Sequence, residues 1–409
     1  MCIRDSSSAV FGVDAEPSVD FGRVMQHVHG AIAAIEPHDS QTRFEAMGAE
    51  VVRAHARLTG PDTIEADGRT WRAKHIVLAV GSRPSVPPIE GLADVPYLTN
   101  ETLWSLKEQP EHLVILGGGN IGVEMAQAFR RLGSEVTVIE RARMMSHDDP
   151  DLVRFVRDAL TEEGVTVHES VTAERVEKTD AGISVHLSDG RDVAGSHLLV
   201  ALGRTPNLEN LGLDAAGVET GKAIKVDSRL RTSNKRIFAV GDCREGPQFT
   251  HAAGYDGGIV VRNAVFRLPA KADYSAMPWC TYTDPELAQV GMTEQRARAE
   301  LPDVTTAEAG FEDNDRAVAE GRTAGRIKLV LSRGKLVGCG IVGPHAGELI
   351  HSWALALSKG MGARDLTGYI APYPTLGEIS KAGANKLFQN KLFSPPVRRL
   401  AGALSKLPG

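Results

Sequence analysis

The chain has 409 residues, too many for one compact core and enough for two or three domains. Its 42% apolar and 24% charged residues are those of a globular protein, and a net charge of -6 gives no general field for nucleic acid or anionic lipid. No apolar run reaches bilayer length, the start MCIRDSSSAV lacks a signal-peptide core, and the cysteines sit at no redox or metal-binding spacing. The expectation is a cytoplasmic protein with no metal site and no stable membrane insertion.

Phe21, Val24, Met25, Val28, Ala31, Ile32 and Ile35 recur at helical spacing until Pro37. From Glu50 to Ala79, Val51–Val52, Thr63–Ile64 and Ile76–Val77–Leu78 are separated by Gly60–Pro61 and Asp67–Gly68. This predicts strands and hairpins, closed by a turn at Gly81–Ser82–Arg83–Pro84. His112 to Glu140 reads as a strand, a glycine loop, a helix from Val123 to Leu132 and a second strand from Val136 to Ile139. Val165 to Val200 is strand-rich and ends in Gly203–Arg204–Thr205–Pro206, a near copy of the Gly81 turn. Ile237 to Asp242 reads as a buried strand ending in an acid, with a helix starting near His251. From Ala272 the pattern is α+β, with strands Ile327–Leu331 and Leu336–Val342 and helices Ala346 to Lys359 and Gly377 to Ala384. The tail Lys386 to Lys406, broken by Pro395–Pro396, mixes Leu and Phe with basic residues; contact with a membrane surface is the alternative, and a partly ordered, solvated tail is the expectation.

Gly117–Gly118–Gly119–Asn120–Ile121–Gly122 follows a strand and opens a helix, the context a dinucleotide fingerprint requires. Gly117 permits the tight turn, Gly119 lets pyrophosphate approach the backbone, and Gly122 lets helix and strand pack closely. Glu140 ends the next strand at the spacing of the acid that binds the ribose of NAD, while Arg141 and Arg143 keep NADP open.

Gly81–Ser82–Arg83–Pro84, the Gly117 fingerprint, Gly203–Arg204–Thr205–Pro206–Asn207 and Gly241–Asp242 fall in the order and spacing of one family. With these motifs the chain resembles the pyridine nucleotide-disulfide oxidoreductases, most closely mercuric reductase-like and dihydrolipoamide dehydrogenase-like members. The resemblance implies an α/β fold of two Rossmann-like nucleotide-binding domains, the first incomplete, and a C-terminal α+β dimerisation domain. Residues 1–102 and 205–268 would bind FAD, 103–204 NAD(P), and 269–409 would form the interface of a homodimer. It also implies that Gly241–Asp242 bind the flavin ribitol, that Ala252–Ala253 after His251 lie by the flavin ring, and that Glu124 lies near the nicotinamide.

Such enzymes open with a further G-x-G-x-x-G for FAD and a helix carrying two cysteines four residues apart. Neither is found here, so a chain truncated at its N-terminus is expected. Tyr373 stands where lipoamide members carry a histidine base oriented by a glutamate like Glu378, and these two are the candidate catalytic residues. Tyrosine titrates near ~10 against ~6.5 for histidine, which makes it a poor base at neutral pH. The implied reaction is hydride relay from NAD(P)H through FAD to a disulfide or similar acceptor. The alternatives are an NADH oxidase or diaphorase that needs no cysteine pair, and a non-catalytic nucleotide-binding fragment.

Overall fold

The computed structural model describes Gly12, residues 18–362 and residues 364–406. Helix α1 (Phe21–Ile35) starts where the Asp20 carboxylate accepts the Arg23 amide, and α2 (Gln41–Ala46) is capped in the same way by Ser40. Strands β1 (Arg57–Gly60), β2 (Thr63–Ala66) and β3 (Arg69–Arg72) form an antiparallel meander on the predicted turns. Val51–Val52 is not a strand: the pair sits in irregular chain between α2 and β1, and two residues with no ladder partner cannot hold extended pairing. The next strands are β4 (Ile76–Leu78) and β5 (Ser82–Pro84).

The βαβ expectation holds in detail. Strand β6 (His112–Leu116) leads through the glycine loop into α3 (Asn120–Arg131), which stops at Leu132 with Gly133 at φ 107°. Strand β7 (Glu135–Glu140), helix α4 (Pro150–Glu162) and β8 (Thr166–Glu169) continue the winding. Strands β9 (Ala173–Thr179), β10 (Gly182–Leu187) and β11 (Asp192–Gly195) make an antiparallel sheet, and β12 (His197–Val200) returns to complete a parallel sheet of order β12-β6-β7-β8. Leu113, Ile115, Val138 and Leu152 are fully buried in its core, each side chain contributing about 1.5–3 kcal/mol.

Strand β13 (Arg204–Pro206) pairs antiparallel with β5, so the two look-alike turns lie side by side, Arg204 opposite Pro84 and Pro206 opposite Ser82. Their backbones also exchange bonds at the ends: the Ser85 amide donates to Gly203 O and the Asn207 amide to Gly81 O. Strand β14 (Ile237–Ala239) pairs parallel with β4, and α5 (Thr250–Ala264) follows.

The C-terminal part is a five-stranded antiparallel sheet of order β15-β16-β19-β18-β17, built from β15 (Pro278–Thr281), β16 (Glu286–Gly291), β17 (Val304–Gly310), β18 (Arg326–Ser332) and β19 (Lys335–Gly343). Helices α6 (Glu294–Glu300), α7 (Asp315–Ala319), α8 (Ala346–Leu349), α9 (His351–Ser358), α10 (Glu378–Leu392) and α11 (Pro395–Leu404) surround it. The helix predicted over Ala346 to Lys359 is two pieces, divided at Ile350. In the tail the chain does break before Pro395–Pro396, between α10 and α11, and the pair also opens α11, because proline at the first helical positions gives up amides that have no intrahelical partner.

This sheet is fastened to the parallel one. Leu287 of β16 and Val342 of β19 share the core of α3 and α4. Lys328 of β18, only 2% exposed, reaches Asp149 at 3.0 Å, Asp151 at 2.6 Å and Glu294 at 2.7 Å. Burial works against its charge, but these hydrogen-bonded carboxylates hold its pKa above the ordinary lysine value.

Candidate functional site

Each fingerprint glycine has a distinct geometry. Gly117 takes φ 109°, and a Cβ there would fall 2.4 Å from Ala201 O. A Cβ on Gly122 would fall 1.9 Å from Gly117 O, so α3 can pack on β6 only through a bare Cα. Around Gly119 nothing lies within 4 Å of a Cβ position: the space before the helix is open. No side chain caps α3 and no acid lies in its first turn, so its N-terminal amides and dipole remain for an anion.

A cleft of about 580 Å³ lies over this loop, lined among others by Gly117, Gly119, Asn120, Glu140, Arg143 and Gly203. The Glu140 carboxylate accepts the Gly118 amide at 2.7 Å and the Ala142 amide at 2.8 Å, which fixes the loop to the end of β7. Two buried donors here, Asn120 Nδ2 and Arg143 Nε, have no hydrogen-bond partner. Ile121 is half-buried and outside the lining.

One end of the cleft is tied to the C-terminal sheet through Asp148. Buried Asp148 lines it and accepts the Trp279 indole N–H of β15 at 2.7 Å. Burial pushes the Asp148 carboxyl up to about 6, against the stabilising Trp279 bond. Glu124 of α3 accepts the Tyr282 amide at 2.9 Å, and burial raises its pKa too. Burial first, then the carboxylates of Glu286, Glu124, Asp148 and Glu348, drive the Cys280 thiol well above its usual range, so it stays protonated.

A second cleft, of about 520 Å³, gathers Gly81, Arg204, Gly241, Asp242 and Ala253. Asp242 accepts the Ser82 hydroxyl at 2.6 Å, and Arg204 Nε donates to that hydroxyl at 2.6 Å, which ties the strand-end acid to both look-alike turns. Gly241 adopts φ 66°, and its amide donates to buried Asp256, which also accepts Arg244 Nε at 2.7 Å and the Tyr274 hydroxyl at 2.5 Å. Ala252 is buried beneath the cleft, and only Ala253 of the pair lines it. His251 is exposed, donates to Pro278 O at 2.8 Å and stacks on Phe249.

Tyr373 and Glu378 line neither cleft. The Tyr373 hydroxyl donates to Asp315 at 2.9 Å, and this bond with the Asp315 charge raises its pKa. Glu378 accepts the Thr375 amide at 3.1 Å, so the hydroxyl's hydrogen-bond partner is Asp315 rather than Glu378.

Residues 9–257 match the pattern described as pyridine nucleotide-disulphide oxidoreductase, and residues 277–383 match the dimerisation domain of the same family. The chain belongs to the pyridine nucleotide-disulphide oxidoreductase family. It is 39% identical over 374 residues to the mercuric reductase of Lysinibacillus sphaericus, an alignment that covers 90% of this chain and 68% of that protein. With the dihydrolipoyl dehydrogenase of Geobacillus stearothermophilus it is 32% identical over 390 residues, 92% of this chain and 82% of that one. The HOCl-induced flavoprotein disulfide reductase RclA from Escherichia coli has the same fold, with a TM-score of 0.82 at 26% identity, covering 90% of this chain and 86% of that chain.

Members of this family use FAD and NAD(P)H, and the protein is an FAD- and NAD(P)-dependent oxidoreductase carrying a C-terminal dimerisation domain. The residues present fit an anionic dinucleotide, on the open space at Gly119 and the two partnerless donors beside it. Among the described residues no helix is long and apolar enough to cross a membrane. Sequence reading passed over Asp148, Tyr282, Cys280, Asp256 and Arg244. The one local signal was Arg244 directly after Gly241–Asp242–Cys243; the others reach their partners from distant elements.

Proposed function

We propose that NAD(P)H lies along Gly117, Gly119, Asn120, Ile121 and Gly122 with its adenine ribose near Glu140, and that the flavin cofactor is held near Gly81, Gly203, Gly241, Asp242, His251, Ala252 and Ala253. Residues 1–102 and 205–268 form the FAD domain, 103–204 the NAD(P) domain and 269–409 the interface of a homodimer working in the cytoplasm. The final acceptor, a disulfide or similar small molecule, is reduced near Tyr373 and Glu378 of the other subunit. The observation that carries this reading is the uncapped start of α3 behind open space at Gly119, with Asn120 Nδ2 and Arg143 Nε buried beside it and unpartnered.

FAD, when bound, supplies the two-electron chemistry between nicotinamide and acceptor. The chain's own residues do the rest. The amides before α3 hold pyrophosphate, and Glu140 keeps the loop in shape through Gly118. Glu124, fixed by the Tyr282 amide, orients the nicotinamide end from the side of α3. With its pKa raised, Tyr373 keeps its proton at neutral pH, and that proton bonds the acceptor once it leaves Asp315.

A second reading, electron delivery to oxygen or a quinone, is favoured by the thiols. Cys243, Cys280 and Cys339 are all unpaired, and burial raises the pKa of each. The test is NAD(P)H consumption by the full chain loaded with FAD, given a low-molecular-weight disulfide, a quinone or oxygen alone. Turnover with the disulfide supports the first reading and turnover with quinone or oxygen alone the second. A flavin-loaded chain that oxidises neither NADH nor NADPH refutes both.

A further inference from the structure

The last 31 residues, 379–409, contain Lys381, Lys386, Lys391, Arg398, Arg399 and Lys406 and no aspartate or glutamate. The chain as a whole carries -6, so this terminal segment is a block of +6 on a body of -12. Within it α11 is amphipathic. Val397, Leu400 and Leu404 recur at i, i+3 and i+7, one stripe of a 3.6-residue helix, and Arg398 and Arg399 fall outside that stripe.

A helix of this pattern ordinarily buries its stripe against a core. This one buries none of its residues: Leu400 is 58% and Leu404 55% exposed, and Phe393, in the turn before the helix, is 60% exposed. The match to the family's dimerisation domain ends at residue 383, before α11 begins, so α11 lies outside the part of 269–409 that the match supports as dimer interface. With ten residues the helix is about 15 Å long, too short to span a bilayer but suited to lying along its surface. The helix itself carries no acid, although Asp313 shares the groove lined by Phe393 and Val397; an exposed apolar stripe flanked by cations is the pattern of a helix at an anionic membrane interface.

We propose that α11 is a peripheral docking element for an anionic lipid surface, its Val397/Leu400/Leu404 stripe entering the headgroup boundary while Arg398, Arg399 and Lys406 face lipid phosphates. The body of the molecule, net acidic, stays off the membrane, so attachment depends on this one segment. Binding is reversible and salt-sensitive, because a single short helix buries little apolar area and its cations are screened within a Debye length.

The full chain is mixed with vesicles of phosphatidylglycerol and phosphatidylcholine in equal parts, or of phosphatidylcholine alone, and the bound fraction is measured by flotation. Binding is expected to the anionic vesicles only, and to fall at raised salt. Arg398→Ala with Arg399→Ala weakens it by about tenfold or more, and Leu400→Glu with Leu404→Glu abolishes it. All four positions are exposed, so the fold is retained, which far-UV circular dichroism checks. Failure to bind anionic vesicles, or unaltered binding by the Leu400→Glu, Leu404→Glu variant, overturns the proposal. It is equally overturned if that variant changes the mass in solution by light scattering, for then a second copy of the chain covers the stripe.

Discussion

Gly119 and Gly122 belong to one motif but have opposite surroundings, and alanine at each should fail in a different way. Gly122→Ala would put a Cβ 1.9 Å from Gly117 O, and the start of α3 must retreat by about 1.5 Å to restore ordinary contact, an overpacking cost of about 1–3 kcal/mol. The methyl group of Gly119→Ala meets nothing within 4 Å, and at φ -77° and ψ -175° the backbone there suits any L-residue, so the fold does not suffer. That methyl group does occupy the space into which pyrophosphate must come. If it denies the anion one close amide contact, binding weakens by about 1–3 kcal/mol, roughly fivefold to 150-fold in Kd. The assay is titration of NADH fluorescence together with thermal unfolding of both variants. Gly119→Ala should keep its Tm and lose NADH affinity, and Gly122→Ala should lose both. Unchanged affinity in Gly119→Ala, or a Tm as low as that of Gly122→Ala, would refute the placement of pyrophosphate at this loop.

Asp148 has a folded pKa of about 6 against ~3.9 in an unfolded chain, so the native state keeps its proton longer and the stability present at low pH is lost as pH rises through 6. Asp148→Asn, which keeps an acceptor for Trp279, should therefore gain stability relative to the parent protein, by an amount on the order of 2 kcal/mol, between about pH 4 and pH 7 in denaturant titrations; a constant difference across that range would remove the argument. Lys328→Met leaves Asp149 buried without its cation and should cost about 3–5 kcal/mol in urea unfolding, and a loss below about 1 kcal/mol would mean that the cluster does not hold the two sheets together. Tyr373→Phe should slow reduction of a disulfide about tenfold or more while leaving quinone-linked NADH oxidation unchanged; equal losses in both would place Tyr373 in structure rather than in acceptor chemistry.

The glycine fingerprint and Glu140 were legible because their requirements are local: six consecutive residues and a strand end satisfy one another through Gly118 and Gly117. The layered order of helix, parallel sheet and C-terminal antiparallel sheet was legible for the same reason, since the strand and helix periods change where the architecture changes. Asp148, Cys280 and Lys328 were not, because part of what surrounds each comes from elements more than a hundred residues away. Nothing in Trp279–Cys280–Thr281 announces that carboxylates from α3 and β16 converge there. The Pro395–Pro396 pair was read only as a break, which does fall between α10 and α11, and its second role as the start of α11 was missed.

The pairing of β5 with β13 means that everything from residue 85 to residue 203 leaves and re-enters the rest of the molecule through a neck two strands wide. A lobe on such a neck would swing freely were it held nowhere else. Here its far side is bolted by Lys328 and by the shared packing of Leu287 and Val342, so the excursion is anchored at both ends like a bridge span. Opening the lobe as a whole therefore requires pulling the buried Lys328 ammonium away from the carboxylates of Asp149 and Asp151.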